Sequence, residues 1–361
     1  MSYFHSLKVK ELKKEAVDAL IITFEIPEAL KEQFIFLPGQ HLTLKTDIDG
    51  TEIRRSYSIC AAPHENIIKV AVKKMEGGVF SNYALNTLKK GHALDVMAPL
   101  GRFTPKLDSK SAKNYLLIAA GSGITPVISI LKTILYTEPN SNITLIYGNR
   151  NTKSVMFKEE LEDLKNRFLN RLTLYFVLSR EKVDAPILNG RIDREKCQRF
   201  FTKLLPVKDF NAAYICGPEG MVLAAKEELI AQGMPENQVH LELFTTPGQV
   251  FGAALDNSVH TVNYDASSES MVTLKLNGKT YEFPLKYSGV NILDAALEEG
   301  VDLPFACKGG VCCTCRAKLA SGKVDMTVNY GLEPDELEAG FILTCQSHPR
   351  TDKITVDFDI K

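Results

Sequence analysis

The sequence predicts a multidomain protein with three folded parts. Residues 1–108 read as an antiparallel β-barrel, residues 109–246 as a doubly wound α/β domain, and residues 271–361 as a small α+β domain. Residues 247–270 read as the linker before the last part. Three observations carry this division. The chain has 361 residues, more than one ordinary domain of ~100–200 residues. Near residue 113 the pattern changes from period-2 alternation to apolar runs separated by helical stretches. Five of the eight cysteines lie in the last 55 residues.

In the first part, Leu20, Ile22, Phe24 and Ile26 alternate with Ile21, Thr23 and Glu25, and Ile68, Val70 and Val72 alternate with Lys69, Ala71 and Lys73. Such alternation marks half-buried strands. Asp49-Gly50 between two strand-like runs is a hairpin signal. A single helical pattern near residues 82–88 completes a small barrel. In the second part, residues 115–120, 143–147, 172–178 and 212–216 are buried-strand candidates, with helical patterns at 155–168 and 220–232. Strands alternating with helices imply a parallel sheet covered on both faces. Residues 247–270 contain no Lys or Arg and are rich in small and polar residues, as a linker is. The third part opens with a hairpin around Asn277-Gly278 and a short helix at 292–299.

Composition excludes several classes. Hydrophobic residues at 45% and charged residues at 24% are ordinary for globular proteins. A net charge of −1 lacks the basic footprint of a nucleic-acid binder. The longest apolar runs fall well short of the ~20 residues that span a bilayer. The first ten residues lack an apolar signal region. These readings predict a cytoplasmic protein with neither nucleic acid nor membrane among its partners.

Cys307, Cys312 and Cys315, followed by Cys345 after 29 intervening residues, form C-x4-C-x2-C…C. This is the plant-type [2Fe–2S] spacing. Three thiolates on one tight loop wrap a rhombic cluster, and a distant fourth closes it. Gly309 and Gly310 let backbone N–H groups approach the sulfurs. The alternative, a structural zinc site, favours paired C-x2–4-C knuckles, and only one such pair is present. Cys313 lies off the ligand register, as a small spare residue or a redox-sensitive thiol.

Arg55-Ser56-Tyr57-Ser58 ends a predicted barrel strand. It offers a cation for a pyrophosphate, an aromatic face for an isoalloxazine and a hydroxyl for its N5 edge. Gly77-Gly78, with Ser81 and Asn82 just beyond, opens a helix whose first N–H groups suit an anion. Gly121-Ser122-Gly123-Ile124-Thr125-Pro126 follows a strand and starts a helix, the context of a dinucleotide pyrophosphate. Pro126 stands where the full fingerprint has a small residue. Cys216-Gly217-Pro218 ends a later strand of the same sheet, so both motifs fall on the edge where α/β sheets bind ligands. Ser179-Arg180 and Arg191 follow another strand end. An arginine there pairs with a ribose 2′-phosphate, which favours NADPH over NADH. No Ser/His/Asp or metal–His constellation emerges from the seven scattered histidines.

In this order, Arg55–Ser58, the turn Pro99-Leu100-Gly101-Arg102-Phe103, Gly121–Pro126, Cys216–Pro218 and Glu242-Leu243-Phe244 resemble the ferredoxin–NADP reductase superfamily. Cys307–Cys345 resembles a fused plant-type ferredoxin, which makes the third part a β-grasp (α+β) domain. The domain order is similar to oxygenase reductase components, among them the reductases of phenylacetyl-CoA epoxygenases. The resemblance implies FAD, with FMN as the alternative because phthalate dioxygenase-type reductases share the order and carry FMN. It implies that Arg55, Tyr57, Ser58, Gly78 and Ser81 contact flavin, that Thr125 and Cys216 lie near nicotinamide, and that Glu242 assists around the flavin. Ser58, Cys216 and Glu242 are thus the candidate catalytic set. The superfamily's C-terminal aromatic that covers the ring has no clean counterpart, because Phe244 is followed by more chain. The implied activity is NAD(P)H-dependent electron transfer to a terminal oxygenase, a di-iron enzyme acting on an acyl-CoA or aromatic substrate. The competing readings are a reductase for a desaturase, a hydroxylamine reductase, a cytochrome or a Rieske-type dioxygenase, and a zinc-stapled interaction module.

Replacing Cys307, Cys312, Cys315 or Cys345 singly with Ser is expected to abolish the visible absorbance of the cluster, because each thiolate supplies charge and geometry to an iron. Cys313→Ser is expected to keep it. Absorbance spectra of the five purified variants check both outcomes.

Overall fold

The computed structural model describes residues 4–244 and 268–360. Inter-residue contacts separate these two stretches as two compact units. Nearly all of the 247–270 linker reading lies outside the described residues. Its last two residues, Glu269 and Ser270, already belong to a strand.

The first unit begins with six strands: β1 (Phe4–Ala16), β2 (Ala19–Glu25), β3 (His41–Ile48), β4 (Thr51–Ser58), β5 (Ile68–Lys73) and β6 (Ala93–Met97). Their antiparallel order is β4-β3-β6-β1-β2-β5. An Ile59–Val70 bridge joins the two edges, so the sheet closes as a barrel. Asp49 and Gly50 sit at φ 54° and 77°, the left-handed pair a two-residue hairpin requires. Helix α1 (Val79–Asn86) starts three residues before the expected position, with Gly78 as its N-cap.

The expected one-sided burial of β2 is incomplete. Ile22 and Phe24 fill the barrel core, while Ile21 and Ala19 are also buried, in a second core shared with the following domain. The outer face of this strand carries apolar residues because the α/β layer covers it.

That layer has five parallel strands: β7 (Asn114–Ala120), β8 (Asn142–Asn149), β9 (Leu172–Leu178), β10 (Ala212–Gly217) and β11 (Val239–Leu243). Their order is β11-β10-β7-β8-β9, which reverses direction between β7 and β10. The helices are α2 (Ile124–Thr137), α3 (Lys158–Arg167), α4 (Arg194–Lys203) and α5 (Glu219–Ala231). The helical pattern at 155–168 starts later than expected. Phe157 takes a left-handed φ of 57°, and its N–H donates to Glu15 of β1 at 2.6 Å. Helix α4 has no counterpart among the periodic runs of the sequence. Asp193 caps it through the Lys196 N–H, and Cys197, Phe200 and Phe201 bury its inner face.

The second unit contains β12 (Glu269–Leu276), β13 (Lys279–Lys286), α6 (Ile292–Glu298), β14 (Arg316–Ser321), β15 (Val324–Met326), α7 (Pro334–Glu338), β16 (Phe341–Leu343), β17 (Ser347–Pro349) and β18 (Lys353–Asp357). The main sheet runs β13-β12-β18-β14-β16, with β12 and β18 parallel at its centre. The apolar residues Ile292, Leu293 and Ala296 of α6 join its core, as the β-grasp reading expects. The β12–β13 turn holds Asn277 and Gly278 at φ 52° and 72°.

Candidate functional site

The barrel motif lies on β4, whose period-2 geometry puts Arg55 and Tyr57 on one face and Ser56 and Ser58 on the other. The Tyr57 ring packs 5.3 Å from that of Phe80 on α1. Burial raises the pKa of its hydroxyl, and Arg55 opposes that shift. Arg55 Nη1 donates to the Arg54 carbonyl at 2.7 Å. Ser56 Oγ lies 3.4 Å from Thr43 Oγ1.

The Gly77–Gly78 turn is built from within. Ser81 Oγ accepts from the Met75 N–H at 3.1 Å and donates to the Gly78 carbonyl at 3.2 Å. Asn82 Nδ2 donates to the same carbonyl at 2.8 Å. The Ser81 hydroxyl is therefore taken up in shaping the turn. A Cβ on Gly78 would stand 2.6 Å from Ser81 Oγ. No side chain caps α1, so its first-turn N–H groups remain for an external anion. This cradle fits a flavin phosphate.

The second motif follows β7. Thr125 Oγ1 donates to the Ser122 carbonyl at 3.0 Å, and Tyr147 Oη donates to the Gly121 carbonyl at 3.0 Å. Thr125 and Pro126 are buried in the first turn of α2. Gly123 lies against the backbone of Cys216 and Gly217, where any Cβ would collide with the Cys216 carbonyl. The two motifs thus touch at the point where strand order reverses, the ligand crevice of such sheets. The Gly123–Cys216 contact packs the two turns backbone against backbone, while Gly121 beside it has open space where a Cβ would stand.

Cys216 and Glu242 are cross-strand neighbours on β10 and β11. Cys216 Sγ lies 4.0 Å from Glu242 Oε2, and Ser58 Oγ donates to the same oxygen at 3.2 Å. The end of the barrel motif therefore meets the end of the α/β sheet. Burial pushes the Glu242 carboxyl up to about 8, with the Ser58 hydrogen bond opposing it. Burial, then Glu242, raises the Cys216 thiol well above its usual range, so it is a neutral thiol.

Ser179 and Arg180 continue past β9. A parallel bridge pairs Leu178 with Asn189, and Gly190 N–H donates to the Leu178 carbonyl at 2.8 Å. Arg180 and Arg191 are therefore carried on adjacent backbone segments, both exposed. Arg180 N–H donates to the Arg150 carbonyl at 2.7 Å, which brings a third exposed arginine to this edge. Sequence reasoning missed Arg150. Its signal was an arginine one residue past β8. Glu181 points elsewhere and accepts from Thr152 N–H and Oγ1, each at 2.7 Å.

In the second unit, Lys308, Gly310 and Cys313 all have positive φ and curl the 307–315 loop. Cys307 Sγ accepts from Gly309 N–H at 3.3 Å and Cys312 N–H at 3.5 Å. The Cys312 thiol and these N–H groups hold the Cys307 thiol down to about 5 against its burial. Pairing of Arg316 with Leu343 brings Cys315 beside Cys345. The Cys315 thiol lowers the Cys345 pKa in the same way. Gln346 Nε2, another residue missed in the sequence, lies 3.7 Å from Cys345 Sγ and donates to the Lys308 carbonyl at 2.9 Å. The Cys307 thiol interacts with that of Cys312, and the Cys315 thiol with that of Cys345. Among the described residues, no three His, Cys, Asp or Glu side chains are grouped to hold one ion. The C-x4-C-x2-C…C spacing matches a two-iron cluster rather than the paired knuckles of a tetrahedral zinc. Cys313 Sγ turns toward the Val311 carbonyl and Gly331.

Three family models match successive stretches of the chain. Residues 6–104 match the oxidoreductase FAD-binding domain, residues 117–227 the oxidoreductase NAD-binding domain, and residues 274–350 the 2Fe-2S iron-sulfur cluster binding domain. The chain is 47% identical to a component of the 1,2-phenylacetyl-CoA epoxidase of Escherichia coli (strain K12), over 100% of this chain and 99% of that one. It is 35% identical to the ferredoxin reductase component of 3-ketosteroid-9-alpha-monooxygenase of Rhodococcus rhodochrous, over 98% and 96% of the two chains. Phthalate dioxygenase reductase shares the fold, with a TM-score of 0.57 at 24% identity over 98% of each chain. Fold and domains together define an electron-transfer oxidoreductase with FAD-binding, NAD-binding and [2Fe–2S] domains. The chain belongs to the ferredoxin reductase family, among the reductase components of oxygenases. No helix among the described residues is long and apolar enough to cross a membrane.

Two outcomes follow from the site. Because its folded carboxyl holds a proton up to about pH 8, Glu242 contributes stability that is full below the ordinary carboxylate range and lost as pH rises through about 8. Glu242→Gln cannot ionise, so its melting temperature is expected to gain on the parent between pH 5 and 9; parallel melting curves would contradict the assignment. Gly123→Ala is expected to cost about 1–3 kcal/mol and to weaken nucleotide binding while flavin content stays unchanged, read by denaturant melts and equilibrium titration.

Proposed function

We propose that this chain delivers electrons from NADPH to the oxygenase component of a phenylacetyl-CoA epoxidase-type enzyme. The observation that carries the reading is the Ser58–Glu242 contact, which joins the flavin-type motif to the nicotinamide-type edge across 184 residues of sequence. When bound, nicotinamide supplies a hydride, flavin accepts it and releases electrons singly, and the cluster relays single electrons.

The residues of the chain bind, orient and exclude water. Arg55 and the first turn of α1 are suited to neutralise flavin phosphates, and Tyr57 to flank the ring. Gly121 leaves room for the dinucleotide backbone, and Gly123 and Gly217 let the two turns pack closely beside it. Thr125 and Cys216 border its nicotinamide end. Ser58 donates to Glu242, whose carboxyl holds its proton at neutral pH beside the reacting edge. Arg180 and Arg191, exposed on adjacent segments, would pair with a 2′-phosphate, with Ser179 preceding Arg180 in the chain. Cys307 and Cys312 would hold one iron, Cys315 and Cys345 the other. The epoxidase partner rests on the 47% identity to the Escherichia coli relative.

Arg180→Ala and Arg191→Ala are expected to weaken NADPH by about tenfold or more, because a charge-assisted contact contributes ~1.5–3 kcal/mol. NADH should be little affected, and equal losses for both nucleotides would show that the arginines do not read the 2′-phosphate. The partner is tested by reconstitution. NADPH-dependent oxygenation of phenylacetyl-CoA is expected with the oxygenase component of the epoxidase and not with a Rieske-type oxygenase; the reverse pattern would move the chain to another system.

A further inference from the structure

Lys132 is 2% exposed, on the face of α2 that meets the barrel. Its Nζ donates to the Cys60 carbonyl at 3.1 Å, to Glu65 Oε1 at 2.7 Å and to Glu160 Oε1 at 2.8 Å. Three ammonium protons thus meet three acceptors. Cys60 and Glu65 belong to the barrel, and Glu160 to α3. One turn earlier on α2, the buried Ser129 hydroxyl donates to the Ala61 carbonyl at 2.6 Å. Lys69 Nζ stands 3.8 Å from Glu65 Oε2 and balances the local charge.

The placement of this anchor matters more than its charge. Cys60 comes two residues after Ser58 on the same extended segment. Helix α2 begins directly after Gly121–Gly123. One end of the anchor therefore holds the strand that carries the flavin-type motif, and the other is the rigid helix that starts at the nicotinamide-type turn. A buried ion pair is weak evidence for stability, since an apolar side chain of similar volume often serves as well. Apolar contacts slide, whereas directed hydrogen bonds to a carbonyl and two carboxylates fix register. Hydride transfer is steeply sensitive to alignment, and a displacement of about 1 Å can cost about a hundredfold in rate.

We infer that Lys132, seconded by Ser129, is a positioning residue that sets the alignment of the flavin and nicotinamide stations. The inference rests on the hydride-transfer reading above. It does not require Lys132 to touch either cofactor.

The test uses the full holoprotein with Lys132→Met. Rapid-mixing reduction of the flavin by saturating NADPH is expected to slow by about tenfold or more. The NADPH dissociation constant and the flavin spectrum should stay at parent values. Amide exchange across residues 59–62, measured also on the flavin-free protein, should speed up. A limiting rate equal to the parent, or a loss confined to NADPH affinity, would overturn the inference. If Lys132→Met does not fold, Ser129→Ala removes the second donor while leaving the ion network. It should slow the same step several-fold and loosen the same amides, and parent behaviour in both would equally overturn it. Failure of NADPH to reduce the flavin of the parent protein would instead refute the functional reading itself.

Discussion

Two domains that each bind half of a reaction are useful only if their edges stay in register, and in this chain one shared core imposes that register. Ala19, Ile21, Cys60, Ala71 and Phe103 of the barrel pack in the same cluster as Tyr115, Val127, Ile130, Leu131 and Tyr147 of the α/β domain. Burying a large apolar side chain contributes about 1.5–3 kcal/mol, so the interface is part of the folding core rather than a loose contact. Its consequence is local and chemical. Ser58 and Glu242 approach to 3.2 Å, and the desolvation of that junction keeps the Glu242 carboxyl protonated near neutrality.

Polar groups at this junction add direction to an attraction that has none. The hydrophobic effect holds surfaces together without choosing an orientation. Glu15 to the Phe157 N–H, Ser129 to Ala61 and Lys132 to Cys60 and two carboxylates choose one. Lys73 adds another tie, from β5 to Asp18 and the Ser154 carbonyl.

The ferredoxin-type unit solves a different problem with the same economy of means. A cluster needs four thiolates and a dry, donor-rich loop. Left-handed residues curl the loop so that N–H groups face Cys307, and strand pairing between β14 and β16 brings Cys345 beside Cys315. Because thiolates bind metal only when deprotonated and gathered, the folding of this unit and the holding of its cluster are linked.

The sequence by itself determined the chemistry and much of the architecture. Cysteine spacing, the Asp49-Gly50 and Asn277-Gly278 turns and the glycine-rich strand-to-helix junction are local requirements, met by adjacent residues and legible there. It missed α4, where three buried apolar residues among charged ones leave little periodic signal, and the short strands of the last unit, where three residues cannot show alternation. It also set the two faces of β2 as inside and outside, although Ile21 is buried too. Only the tertiary structure decided that Ser58, Cys216 and Glu242 share one junction, that Arg150 joins Arg180 and Arg191, and that Cys315 comes to lie beside Cys345. These facts depend on strand order and on packing between segments up to 184 residues apart, and no local pattern of residue types encodes which distant edge a strand end will meet.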